Sequence, residues 1–174
     1  MILENKKLRK LIDETIQSKE IYAKVLADNE SPYLKSIILN KGSKDNVKMG
    51  MAILDGSYLV GKIIEVNFTN SRALLLSDLN SKIPVLLEPH DMQAVLSGTG
   101  QNYGIIEYTK EEYRDAMKGT VIVYTSGQGG LFKPGLPVGK LIDENDNKSL
   151  INFFSDFRQL DYVKIVSYEI GGIN

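Results

Sequence analysis

The chain has 174 residues, enough for one domain of ordinary size or two small ones that support each other. Its 21 basic and 22 acidic residues leave a formal charge of −1, so the electrostatic footprint of a nucleic-acid binder is missing. With no cysteine and one histidine, a disulfide framework, a thiolate or His/Cys metal site and a cysteine nucleophile are all excluded. No window of about 20 apolar residues occurs, and MILENKKLRK lacks the apolar core of a signal peptide.

Residues Ile2 to Ser18 read as helix, with Leu8, Leu11, Ile12 and Ile16 on one stripe among mixed charges. With Leu8 at a heptad d position, Asn5 and Ile12 take a positions, and one a-position asparagine can fix the register of a parallel dimer. Two heptads are marginal alone, so this segment is either the tail of a longer coiled coil or a helix packed on its own domain.

From Ile21 the period changes to two. Tyr22 to Ala27, Leu34 to Asn40, Met51 to Ile53, Tyr58 to Asn67, Arg72 to Ser77 and Lys82 to Leu87 form a first series of strand-like runs. Asp55-Gly56 is the best hairpin signal among their turns. Pro84 argues for an edge strand, and Glu88-Pro89-His90-Asp91 reads as a linker between two units.

A second series runs through Met92 to Ser97, Tyr103 to Tyr108, Val121 to Thr125, Val138 to Asp143, Ile151 to Asp156 and Tyr162 to Tyr168. Capping-box spacing at Thr109 and Glu112, with Gly119 beyond, predicts one short helix over Lys110 to Lys118. Strands without alternating helices predict a mainly β fold, barrels or sandwiches, in two small units of about six strands each. The expected division is 1–20 for the N-terminal helix, 21–88 for the first unit and 89–170 for the second.

The richest local pattern is Thr120 to Lys140. A strand-like run enters a turn where Gly127, Gly129 and Gly130 open backbone angles closed to other residues, while Pro134 and Pro137 fix φ. This predicts a shaped surface loop that presents backbone together with Leu131, Phe132 and Leu136, a partner-contact element rather than a catalytic one.

The patterns of chemistry fail on inspection. Ser126-Gly127-Gln128-Gly129-Gly130 has Tyr124 where a nucleophile elbow needs glycine, and no Gly-Lys-Ser/Thr follows for a phosphate loop. Gly98, Gly100 and Gly104 miss the dinucleotide fingerprint by one residue. The acidic stretch Asp143 to Lys148 lacks the glycine and terminal glutamate of a calcium loop. The tyrosines spread along the strands lack a basic face for stacking nucleic acid. A serine-hydrolase reading would need His90, Asp91 and Ser126 within hydrogen-bond reach. No catalytic, cofactor-binding or metal residue is therefore assigned, and a cytosolic β-barrel binding module stands as a second alternative.

Three stretches carry a resemblance: Ile38 to Met51 (ILNKGSKDNVKMGM), Leu59 to Val66 with Ser71 to Asp78 (LVGKIIEV, SRALLLSD), and Ser126 to Lys140 (SGQGGLFKPGLPVGK). In this order they resemble the rod shape-determining MreC family, over about Ile21 to Tyr168. Asp45-Asn46 stands where many members have aspartate-glycine, and Phe153 to Val163 is similar in pattern with more aromatic filling. The resemblance implies a non-enzymatic scaffold of the cell-elongation machinery that organises peptidoglycan synthesis. It also implies a membrane anchor and most of a coiled coil upstream of Met1, with residues 1–20 as the end of that coiled-coil helix and the two β units, 21–88 and 89–170, as two small barrels outside the cytoplasmic membrane. Implied partners are a second copy, in dimers or filaments, a class B penicillin-binding transpeptidase, MreD, RodA and MreB. No cofactor and no nucleic acid are implied.

Overall fold

In a computed structural model the chain is described over residues 16–31, 34–107, 118–130, 132–145 and 148–170. Twelve strands lie in these residues: β1 (Ile16–Ser31), β2 (Leu34–Leu39), β3 (Ala52–Asp55), β4 (Tyr58–Val66), β5 (Ser71–Leu75), β6 (Lys82–Glu88), β7 (Met92–Gly98), β8 (Tyr103–Glu107), β9 (Ile122–Thr125), β10 (Pro137–Asn145), β11 (Lys148–Phe153) and β12 (Tyr162–Ile170). They close two barrels, ordered β1-β12-β3-β4-β5-β2 and β10-β11-β8-β7-β6-β9. The expectation of a mainly β chain with two six-stranded barrels holds.

The boundaries differ from the sequential division. β6 belongs to the second barrel, between β7 and β9, and β12 returns to the first, between β1 and β3. Glu88 to Asp91 is therefore no linker between units; it is the turn from β6 to β7, whose ladder runs from Lys82↔Ser97 to Leu87↔Met92. The linker is residues 76–81 instead. Pro84 does not mark an edge strand, because its carbonyl faces β9 and accepts the Ser126 N–H at 3.3 Å, beyond the last β6–β9 pair, Val85↔Thr125. Its missing donor points the same way, to a place where the ladder has ended.

At the N-terminal side, Ile16 to Ser18 open β1 rather than close a helix. The predicted stripe residues Asn5, Leu8, Leu11 and Ile12 lie outside the described residues, as does the predicted helix from Lys110 through residue 117. β1 serves two neighbours. Its first part pairs β12 from Ile16↔Ile170 to Lys24↔Tyr162, and its second pairs β2 from Val25↔Leu39 to Ser31↔Leu34. A register shift between Val25 and Ala27 marks the change, a bulge that bends one long strand around the barrel.

Alternation fills each barrel from within. Ala23, Ile37, Leu39, Ile53, Ile63, Ala73, Val163 and Ile165 are buried in the first, and Ile83, Val85, Leu87, Leu96, Ile106, Val123 and Ile151 in the second. Two predicted turns form as read. Asp55↔Tyr58 closes the β3–β4 hairpin with Gly56 at φ 62°, and Asn46 takes the left-handed conformation at φ 69°.

Candidate functional site

The Ser126–Leu136 loop is built inward as much as outward. The Thr125 side chain, 1% exposed at the end of β9, donates its hydroxyl to the Lys133 carbonyl at 2.6 Å and accepts the Leu136 N–H at 2.9 Å. Its backbone N–H donates to the Leu136 carbonyl at 2.9 Å, and its carbonyl accepts the Gly135 N–H at 2.8 Å. One threonine thus closes the base of the loop with four bonds. Gly127, at φ 78°, packs so closely on the Pro134 ring that a β-carbon there would press against it. Gly129 (φ 76°) and Gly130 (φ 68°) form the open rim with Gln128, whose side-chain Nε2 donates to the side-chain Oε1 of Gln93 on β7 at 2.6 Å.

The apolar residues of this loop correct the reading from sequence. Phe132 is not presented to a partner; it is 6% exposed and lies in the core. Leu136 is half-buried and packs against the same core, and Leu131 lies outside the described residues. A phenylalanine among glycines and prolines looks like a surface anchor, but here it is the plug that holds the loop down. Among the described residues, what the loop offers to solvent is Gln128, Gly129, Gly130 and Gly135, largely backbone.

Between the barrels, Asp78 locks the 76–81 linker. It is 1% exposed, and its two oxygens accept the backbone N–H groups of Lys35 on β2 and Asn80, each at 2.7 Å. Gly98, at the end of β7, leaves no room for a side chain beside the Asp78 carbonyl. The second crossing, from β11 to β12, is aromatic. Phe157 stacks on Phe153 with centroids 4.8 Å apart, and Phe154 meets Tyr58 of the first barrel at 5.1 Å. An open crevice follows this junction between Asp28, Lys35, Ser77, Gln101 and Arg158.

The hydrolase residues are not gathered. Ser126 lies beyond the Thr125↔Val85 end of β9, whereas His90 and Asp91 follow the opposite end, where Ile122 faces Glu88. Several strand positions, at about 3.3 Å each, separate them. What the turn does hold is a carboxyl pair. Glu88 is pushed up to about 7 by its hydrogen bond with Asp91, with burial and the Asp91 charge adding to the shift.

The family model described as "Rod shape-determining protein MreC, barrel core" matches residues 25–167, most of both barrels. The chain belongs to this family. A cell shape-determining protein MreC of Cereibacter sphaeroides is 34% identical over 151 residues, covering 86% of this chain and 50% of that protein. The chain thus spans about half the length of this relative. The crystal structure of MreC from Pseudomonas aeruginosa superposes with a TM-score of 0.76 at 25% identity, covering 84% of this chain and 98% of the other. Two more distant structures share the fold. One is the major periplasmic domain of the cell shape-determining filament MreC (TM-score 0.69, 16% identity, covering 87% and 97%). The other is a complex of penicillin-binding protein PBP2 with MreC from Helicobacter pylori (TM-score 0.59, 12% identity, covering 86% and 98%). The relatives are cell shape-determining proteins, a structural and non-enzymatic family.

The Glu88–Asp91 pair sets a pH dependence. A carboxyl whose pKa rises on folding gives the folded state the extra proton, so its contribution is complete below the ordinary glutamate range and is lost as pH rises to about 7. Thermal unfolding should therefore have a higher midpoint at pH 5.5 than at pH 7.5, and Glu88→Gln should flatten that difference; an unchanged slope in the variant would disprove the pairing.

Proposed function

We propose that the chain is the extracytoplasmic part of a scaffold that holds enzymes of cell-wall elongation in place and performs no chemistry of its own. The observation that carries this reading is the match of both barrels to the family's barrel core, in a chain whose Ser126 lies beyond the opposite end of β9 from His90 and Asp91. The relative solved as a periplasmic domain supports the compartment, and the relative solved with PBP2 supports a penicillin-binding transpeptidase as partner. MreD, RodA and MreB complete the proposed assembly through an anchor upstream of Met1. A scaffold of this kind works by raising the effective concentration of its partners, without a covalent step.

The contact surface proposed for those partners is the rim of the Ser126–Leu136 loop. Gly127, Gly129 and Gly130 shape it, Phe132, Pro134 and Leu136 hold it, and Gln93 and Gln128 border it. A photoreactive residue at Gln93 or Gln128 should crosslink to cell-wall synthesis enzymes in growing cells. Adducts to unrelated proteins alone, with the scaffold correctly located, would refute that surface.

Self-association is proposed to run through the N-terminal stalk, with Asn5, Leu8, Leu11 and Ile12 on the seam and filaments as a further level. The double substitution Leu8→Asp with Ile12→Asp should halve the mass seen in sedimentation while leaving the melting of the barrels unchanged. An unchanged mass would remove the stalk as the dimer interface.

A further inference from the structure

The outer face of the β1–β12 pair carries an arrangement that the scaffold role does not use. Tyr22 stands directly opposite Lys164 across the ladder, and Tyr162 opposite Lys24. The alternating neighbours Ala23 and Val163 are buried, so these four side chains share the solvent face. Tyr22 is 67% exposed and Tyr162 68%, against 39% for Tyr58. The two rings are diagonal neighbours, with about 7–8 Å between their backbone positions. The outside of a closed barrel is convex, so this is a platform rather than a pocket.

We propose that this face binds an extended sugar chain bearing carboxylates. A pyranose ring has an apolar face of C–H groups and a rim of hydroxyls, and tyrosine offers the matching combination of flat apolar ring and polar tip. Two such rings at diagonal spacing suit sugars of one strand, and the sheet faces of small barrels are known supports for oligosaccharides. Charge selects the acidic kind. On a chain of net charge −1, this face holds two lysines against one acid. That acid, Glu20, occupies the position a ligand carboxylate would take: it accepts the Tyr22 hydroxyl at 3.3 Å and lies 3.7 Å from the Lys164 ammonium. A bound carboxylate pairs with Lys24 or takes the place of Glu20 at Lys164, in each case by charge-assisted bonds.

Access to such a polymer in the cell rests on the extracytoplasmic placement proposed above, whereas binding by the purified chain does not, so the two fail separately. Affinity electrophoresis in gels containing polygalacturonate should retard the chain, and neutral dextran should not. Retardation should weaken about tenfold in Tyr22→Ala with Tyr162→Ala, a loss of about 1.4 kcal/mol. It should fall in Lys24→Gln with Lys164→Gln and at raised salt, and persist in Tyr22→Phe with Tyr162→Phe. All six side-chain changes are at the surface, and unchanged circular dichroism and melting confirm that each variant is folded. Absence of retardation, equal retardation of every variant, or equal Tyr-dependent retardation by polyglutamate would overturn the assignment, the last by pointing to an acidic protein.

Discussion

The structure depends on the pairing of β1 with β12. Nine register pairs, from Ile16↔Ile170 to Lys24↔Tyr162, join the first described strand to the last. Until β12 arrives, β1 and β3 are unpaired edges on either side of a gap, and the first barrel has no closed core. The second barrel, β6 to β11, is continuous in sequence and sits as an insertion between β5 and β12. A contact between distant chain ends therefore holds the outer barrel, while the inner one relies on nearer neighbours.

That nesting gives the barrels two covalent crossings instead of one, and each is secured by its own physics. The 76–81 linker is polar: a buried carboxylate at Asp78 satisfies two backbone donors that would otherwise be stranded. The 154–161 crossing is apolar, with Phe157 on Phe153 and Phe154 against Tyr58. Two anchored crossings resist the relative motion that one flexible linker permits. For the scaffold proposed above, such resistance is the useful property. The same logic runs through the glycine loop, where Thr125 and the Phe132 plug fix a rim made largely of backbone.

Strand existence and turn chemistry were legible in the sequence because both are local. The alternation of Val121, Val123 and Thr125 with Ile122 and Tyr124, the Asp55-Gly56 hairpin and the left-handed Asn46 all follow from side-chain type at fixed spacing. Membership of the barrels was not legible. A strand of period two states which face is buried but not which strand it pairs with, and the proline at Pro89 punctuates a hairpin as readily as a linker. The inward turn of Phe132 was hidden for a similar reason: glycine and proline mark a loop without stating which of its apolar residues reaches the core. The Tyr22, Tyr162, Lys24 and Lys164 face could not be seen at all, since about 140 residues separate its two strands in the chain.

A family of non-enzymatic cell shape proteins built on this plan needs rigidity more than reactivity, and the closing strand is where that rigidity is tested most directly. Hydrogen exchange on a chain ending at Asp161 would measure it. Amides of β2 to β5 should lose protection together while those of β6 to β11 keep it. Retained protection of β2 to β5 without β12, or loss of protection throughout the second barrel, would contradict the nested architecture.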